Sequence, residues 1–282
     1  MTGFINIIKP PFIGSTKVVT AVKRKFSVPC GHMGTLDPMA SGVLPVGIGK
    51  TTRLFPYMLE KEKVYVAEFT FGYLTDTLDV TGTTEKETGV IPTKEQIEKV
   101  LPEFVGEIMQ IPPKYSAKCV NGKKGYDLAR RGIEFELAPK KVNIESITLL
   151  EETKKNVFSF EIVCGGGTYI RSIARDLGEK CGSLAVMSAL ERTKSGAFNM
   201  ENGVDLEEFV SSSEPEKYII PADFAVNFDK LILTPYQSKK ILDGVYENYG
   251  FKDGIYRVYN QTDFWGIGEV NNGILKIKSY VR

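Results

Sequence analysis

Gly31-His32-Met33-Gly34-Thr35-Leu36-Asp37-Pro38-Met39-Ala40-Ser41-Gly42-Val43-Leu44-Pro45 is the stretch on which the reading of this chain turns. It holds the protein's only histidine and one carboxylate, Asp37, among small and apolar residues. From Val28 to Pro45 the density of Gly and Pro predicts a long loop, broken only briefly, in which the backbone is fixed and a side chain is presented to a ligand. Taken alone, an Asp before Pro also reads as a turn residue bonding its own backbone. His32 reads equally as a packing and hydrogen-bonding residue.

Working outward, Phe4–Ile8 predicts a short strand stopped by Lys9-Pro10-Pro11. Ser15 or Thr16 can cap a helix whose apolar residues Val18, Val19, Val22 and Phe26 recur at helical spacing. Just beyond the loop, Gly47-Ile48-Gly49-Lys50-Thr51-Thr52 ends like a phosphate-binding P-loop. That pattern needs a Gly five positions before Gly49, where Leu44 stands, followed by a proline that lacks the required N–H. Nucleotide hydrolysis is therefore excluded. Val64–Gly72 has the β-branched and aromatic content of a strand, and on it Tyr65 is either core or a ring offered to a ligand.

Further along, Thr93-Lys94-Glu95-Gln96 is a capping box opening a helix with Ile97, Val100 and Leu101. A short helix is expected around Tyr126–Arg131, closed by Gly132. Val142–Leu150 and Asn156–Val163 predict a hairpin turning at Glu151–Lys155. Gly165-Gly166-Gly167 leads into a helix from Thr168 to about Lys180, and Ser183 is read as capping another helix through Leu190. Arg171 falls in the first turn after the triple glycine, where a cation opposes the helix dipole and so implies an anionic partner. Without a βαβ rhythm, the expected class is α+β with a mixed, mainly antiparallel sheet. The polar run Ser211–Pro215 suggests a connection, and from Phe228 the chain turns β-rich. Strands are expected at Gly254–Asn260, Phe264–Val270 and Ile274–Val281, with a helix at Pro235–Leu242.

Net charge is only +1, but it is unevenly placed. Residues 1–59 hold seven basic residues and one acidic, and residues 114–141 hold eight and three. Residues 60–113 hold five basic and eleven acidic. Two basic segments can thus form a positive surface, or simply solvated faces. The four cysteines, Cys30, Cys119, Cys164 and Cys181, form no Cys-x-x-Cys pair, which argues against a zinc site and points to a reducing cytoplasm. No apolar run is long enough for a membrane span.

The stretch Gly31–Leu44 closely resembles the signature of the TruB family, the tRNA pseudouridine-55 synthases. Other motifs follow in order: Ile8-Lys9-Pro10, Lys63-Val64-Tyr65, Pro112–Ala117 with Gly122–Tyr126, Gly167–Ser172, and Leu190-Glu191-Arg192. The resemblance implies a catalytic pseudouridine synthase domain over 1–227, with an RNA-clamping insertion at about 111–141. It also implies, more weakly, a small β-rich PUA-like RNA-binding domain over 228–282. By resemblance Asp37 is the catalytic aspartate, Tyr65 stacks on the target base, and Arg171 pairs with the aspartate. Leu190 lines the uracil pocket, and His32 fills the space left by extruded nucleotides. Lys9 belongs to the Lys-Pro element, though here Gly14 follows it at a longer interval than is usual. Lys114, Lys118, Lys123, Lys124, Arg130 and Arg131 would meet phosphates. The implied partner is the tRNA T-stem-loop, bound by a monomer, with no metal or organic cofactor. A non-catalytic RNA-binding or tRNA-folding factor is the alternative, separable because it would need the basic segments but not Asp37.

Overall fold

The computed structural model describes residues 1–58, 61–116, 119, 120 and 122–281, apart from the side chains at 119, 120, 123 and 124. The N-terminal stretch forms β1 (Gly3–Lys9), α1 (Ser15–Phe26), β2 (Cys30–His32) and β3 (Ser41–Ile48). Next come β4 (Lys63–Phe71), β5 (Tyr73–Thr75), β6 (Thr84–Glu87), α2 (Lys94–Val100), β7 (Gly106–Gln110), β8 (Cys119–Val120), β9 (Lys123–Lys124) and α3 (Gly125–Arg130). After these lie β10 (Lys140–Lys154), β11 (Val157–Cys164), α4 (Ile170–Lys180) and β12 (Ala185–Ser195). The chain ends with β13 (Phe198–Asn199), β14 (Val204–Asp205), α5 (Leu206–Ser211), β15 (Asp229–Leu233), α6 (Pro235–Leu242), β16 (Gly254–Asn260), β17 (Asp263–Asn271) and β18 (Ile274–Tyr280). No helix among the described residues is long and apolar enough to cross a membrane.

The chain divides into two compact units. One comprises Met1–Pro38, Gly42–Leu59 and Ser195–Arg282; the other comprises Met39–Ser41 and Glu60–Lys194. In the first, β1 lies between β14, which runs parallel to it, and β3, which runs antiparallel, with β2 on β3. A separate sheet runs β15-β16-β17-β18, parallel only between its first two strands. Phe4, Val43, Leu54 and Phe198 share one apolar core with Ile267 and Val281, so this sheet packs on the N-terminal stretch. In the second unit the strand order is β12-β4-β11-β10-β7. The mixed, mainly antiparallel α+β class expected from the sequence is the class observed.

Three local expectations are corrected. Residues 41–48 are strand rather than loop. Their continuous apolar run suits a strand covered on both faces, and seven residues from Gly42 to Ile48 are buried. Pro45 is accommodated opposite Asn6, and its carbonyl accepts from the Met33 N–H at 3.0 Å. The stretch read as a helix from Ser183 to Leu190 is β12: its apolar run is too short for periodicity to separate helix from strand, and pairing with β4 decides. The Ser183 hydroxyl donates to the Val90 carbonyl instead of capping. Finally, α1 is capped by Gly14 with no side-chain bond, because Ser15 is engaged elsewhere.

Candidate active site

Asp37 sits in a short loop clamped on both sides. On one side, the buried Ser15 hydroxyl donates to the Leu36 carbonyl at 2.8 Å and accepts from the Leu36 N–H at 3.0 Å. On the other, Lys9 Nζ donates to the Pro38 carbonyl at 3.2 Å. It also donates to the carbonyls of Pro10 (2.9 Å) and Ile13 (2.7 Å). Lys9 is fully buried, so this cation braces the loop rather than facing solvent. Met33 and Leu36 are buried in the core, while Thr35 is exposed and Asp37 half-buried, so Asp37 is the ionisable group the loop presents. Gly34, at φ 94°, makes the turn that an L side chain would strain. His32 lies half-buried on β2 opposite Val46. Asp37, His32 and Lys9 all belong to the first unit.

Tyr65, Arg171 and Leu190 belong to the second. Tyr65 and Leu190 are buried on β4 and β12, with Tyr65 opposite Ile162 of β11. The start of α4 is held by Gln110, itself buried at the end of β7. Its amide oxygen accepts from the Tyr169 N–H at 2.8 Å, and its amide nitrogen donates to the Tyr169 carbonyl at 3.1 Å. Ser172 adds a 2.8 Å bond to the Ile111 carbonyl. Arg171 is thereby fixed and buried. Its guanidinium donates to the carbonyls of Thr77 (2.9 Å) and Tyr115 (3.1 Å), and it lies 3.5 Å from Asp79 Oδ2. Asp79 is also buried, and its Oδ1 accepts from Thr77 Oγ1 at 2.8 Å, Thr81 N at 3.0 Å and Thr81 Oγ1 at 2.5 Å. An anionic partner of the kind Arg171's position implies is thus present in Asp79, a residue absent from the candidates expected from the sequence. The signal was the run Thr77-Leu78-Asp79-Val80-Thr81, an Asp flanked by hydroxyl donors able to hydrogen-bond its carboxylate.

Arg130 and Arg131 are exposed at the end of α3, and Arg130 lies 5.8 Å from the centre of the Tyr126 ring. Lys118 and the side chains of Lys123 and Lys124 lie outside the described residues. The first unit thus offers a clamped carboxylate, and the second, by itself, a clamped guanidinium with a buried tyrosine and a buried leucine.

Residues 23–170 match the TruB family pseudouridylate synthase N-terminal domain. Residues 171–227 match the tRNA pseudouridylate synthase B C-terminal domain. The tRNA pseudouridine synthase B of Alkaliphilus oremlandii is 38% identical over 283 residues, covering 96% of this chain and 94% of that protein. That of Aquifex aeolicus is 39% identical, covering 99% of each. Among solved structures, a Cbf5-Nop10-Gar1 complex matches with TM-score 0.68 and 26% identity, over 95% of this chain and 78% of the matched one. An H/ACA RNP bound to a substrate RNA containing 2'-deoxyuridine matches with TM-score 0.67 and 25% identity, over 95% and 77%. With family domains matched from residue 23 to 227 and relatives this similar over nearly their whole length, the chain belongs to the TruB family of pseudouridylate synthases.

Proposed function

We propose that the protein isomerises uridine-55 in the T-loop of tRNA to pseudouridine, with Asp37 as the essential carboxylate. The observation that carries this is the clamping of Asp37 from both sides by Ser15 and Lys9, two buried polar groups spent on positioning one loop carboxylate. The relatives named tRNA pseudouridine synthase B support tRNA as the substrate. In the reaction the C1′–N1 bond breaks, a C1′–C5 bond forms, the C5 proton leaves and N1 gains one. The base must detach and turn, so it has to leave the stack, at a cost of a few kcal/mol.

Each remaining residue then has a role. Asp37 acts as nucleophile or base, and Arg171 is its partner, holding the carboxylate ionised. Asp79 positions Arg171, and Lys9 positions the loop. Tyr65 offers a stacking face, Leu190 an apolar wall, and His32 occupies the vacated space in the RNA. Lys123, Lys124, Arg130 and Arg131, on the insertion at about 111–141, contact phosphates; residues 228–282 form a second RNA-binding module. A T-loop, whose bases can be splayed from the helix, suits such a site. The protein acts as a cytoplasmic monomer.

The test incubates an unmodified tRNA transcript with the protein and maps pseudouridine by carbodiimide treatment and primer extension. A stop at the T-loop uridine is expected, lost with Asp37→Asn by at least about 10³-fold while RNA binding persists. More than trace turnover by Asp37→Asn would overturn the assignment.

A further inference from the structure

Lys63 is the first residue of β4 and pairs with Cys164, the last residue of β11. Side chains two apart on a strand share a face, so Lys63 lies beside Tyr65, about 7 Å along the strand. On the neighbouring β12, Arg192 stands in the same relation to Leu190. The Thr193 hydroxyl donates to the Val64 carbonyl at 3.3 Å, which brings this end of β12 alongside Lys63. Beyond Cys164 the chain turns through Gly165-Gly166-Gly167, closed by a 3.0 Å bond from the Thr168 hydroxyl to the Gly165 carbonyl. Lys140, at the start of β10, lays its ammonium over this turn: a Cβ added at Gly167 would stand 2.7 Å from its Nζ.

Three cations from three strands therefore gather at one end of the face that carries Tyr65 and Leu190. Arg192 is fully buried, Lys63 half-buried and Lys140 exposed. Burial first, and then the charge of Arg192, hold Lys63 down at about 8; Lys140 adds to this and Cys164 opposes it. Burial pushes the Cys164 thiol up to about 11, so it is neutral near pH 7 and supplies no negative charge beside Lys63. The Lys63 ammonium is thus desolvated and faces like charges from Arg192 and Lys140. It is suited to an anion that arrives from outside.

We propose that Lys63 and Lys140 form a phosphate subsite, with Arg192 as the fixed charge behind it, that takes one phosphodiester of the RNA strand carrying the target nucleotide. This rests on the RNA-binding half of the function proposed above. A phosphodiester keeps two unesterified oxygens, enough for one ammonium each, and its full charge persists across the working pH range. Binding it restores Lys63 toward its ordinary value, so occupancy is linked to proton uptake by Lys63.

The experiment measures binding of an unmodified tRNA transcript to the full chain carrying Asp37→Asn, across salt and from pH 7 to 9. For a group titrating at about 8 the protonated fraction falls about tenfold over that range, and affinity is expected to fall by up to that factor. Adding Lys63→Met should reduce the salt slope by about 0.7–0.9, the loss of one phosphate contact, and flatten the pH dependence. Adding Lys63→Arg should keep the salt slope but remove the pH dependence, because a guanidinium stays charged across this range. Lys140→Gln should also reduce the slope. An unchanged slope in Lys63→Met, or a persisting tenfold pH effect in Lys63→Arg, overturns the subsite. Pseudouridine formation by the unaltered protein is scored separately, so failure of the activity and failure of the subsite are told apart.

Discussion

Asp79 is one of eleven acidic residues between positions 60 and 113, and only its partners set it apart. Its carboxylate and the Arg171 guanidinium are each about 6% exposed, so neither is screened by water. Replacing Asp79 with Ala removes a buried carboxylate from beside a buried cation, which should cost up to about 3–5 kcal/mol. Asp79→Asn keeps the volume and part of the hydrogen bonding. It should lower kcat by 10-fold or more while KM changes little, and steady-state kinetics on a tRNA transcript would check the split. Lys63 makes the opposite case. Its folded value, about 8, lies below its ordinary 10.5, so between those limits the unfolded chain binds more protons and stability rises with pH. Below pH 8 the charged lysine is a full liability. Lys63→Met should therefore be more stable than the parent at pH 7, by about 2–3 kcal/mol, and the advantage should vanish as pH approaches 10.5. Urea melts at pH 7, 8.5 and 10 decide this.

At the scale of elements, the helix α1 does two jobs with one turn. Val18, Val22 and Phe26 bury its apolar stripe, and Ser15 reaches across to the backbone of Leu36. The stripe was legible from its spacing. The use of Ser15 was not, because a serine before a helix reads as its cap, and only tertiary placement reveals a nearer pair of backbone groups. Ser15→Ala should cost about 1–2 kcal/mol in thermal stability by leaving the Leu36 groups unpaired. It should lower turnover without weakening tRNA affinity; an unaltered kcat would show that the loop holds its shape without Ser15. The elements with strong local signals, β4, the capping box of α2, and the helix α6, are readable as they stand; the Thr234–Gln237 box of α6 is an addition from the structure. By contrast the helix expected from Ser183 to Leu190 gives way to β12, because a run such as Ala185–Leu190 contains no local preference strong enough to outweigh its neighbours.

Across the whole molecule, the C-terminal sheet is bound to the start of the chain. Ile267 and Val281 are buried with Phe4 and Val43, and Arg53 donates to the Tyr280 carbonyl at 3.2 Å. A chain ended at residue 227 would uncover that core and lose about 1.5–3 kcal/mol for each fully buried apolar side chain removed. It should melt well below the full protein in differential scanning calorimetry; an equal melting temperature would mean that the sheet contributes no stability to its neighbour. Local chemistry and ordered motifs are legible in the amino-acid order alone. That order marks the Asp37 loop, the strand with Tyr65, the helix start with Arg171, the α+β class and the family. Tertiary packing alone selects the groups that hold those residues in place: Ser15 and Lys9 around the Asp37 loop, Asp79 and Gln110 around Arg171. The physical reason is that a polar side chain chooses its partner by proximity after burial has removed water. That proximity is set by strands and loops far apart in the chain, where no local pattern records it.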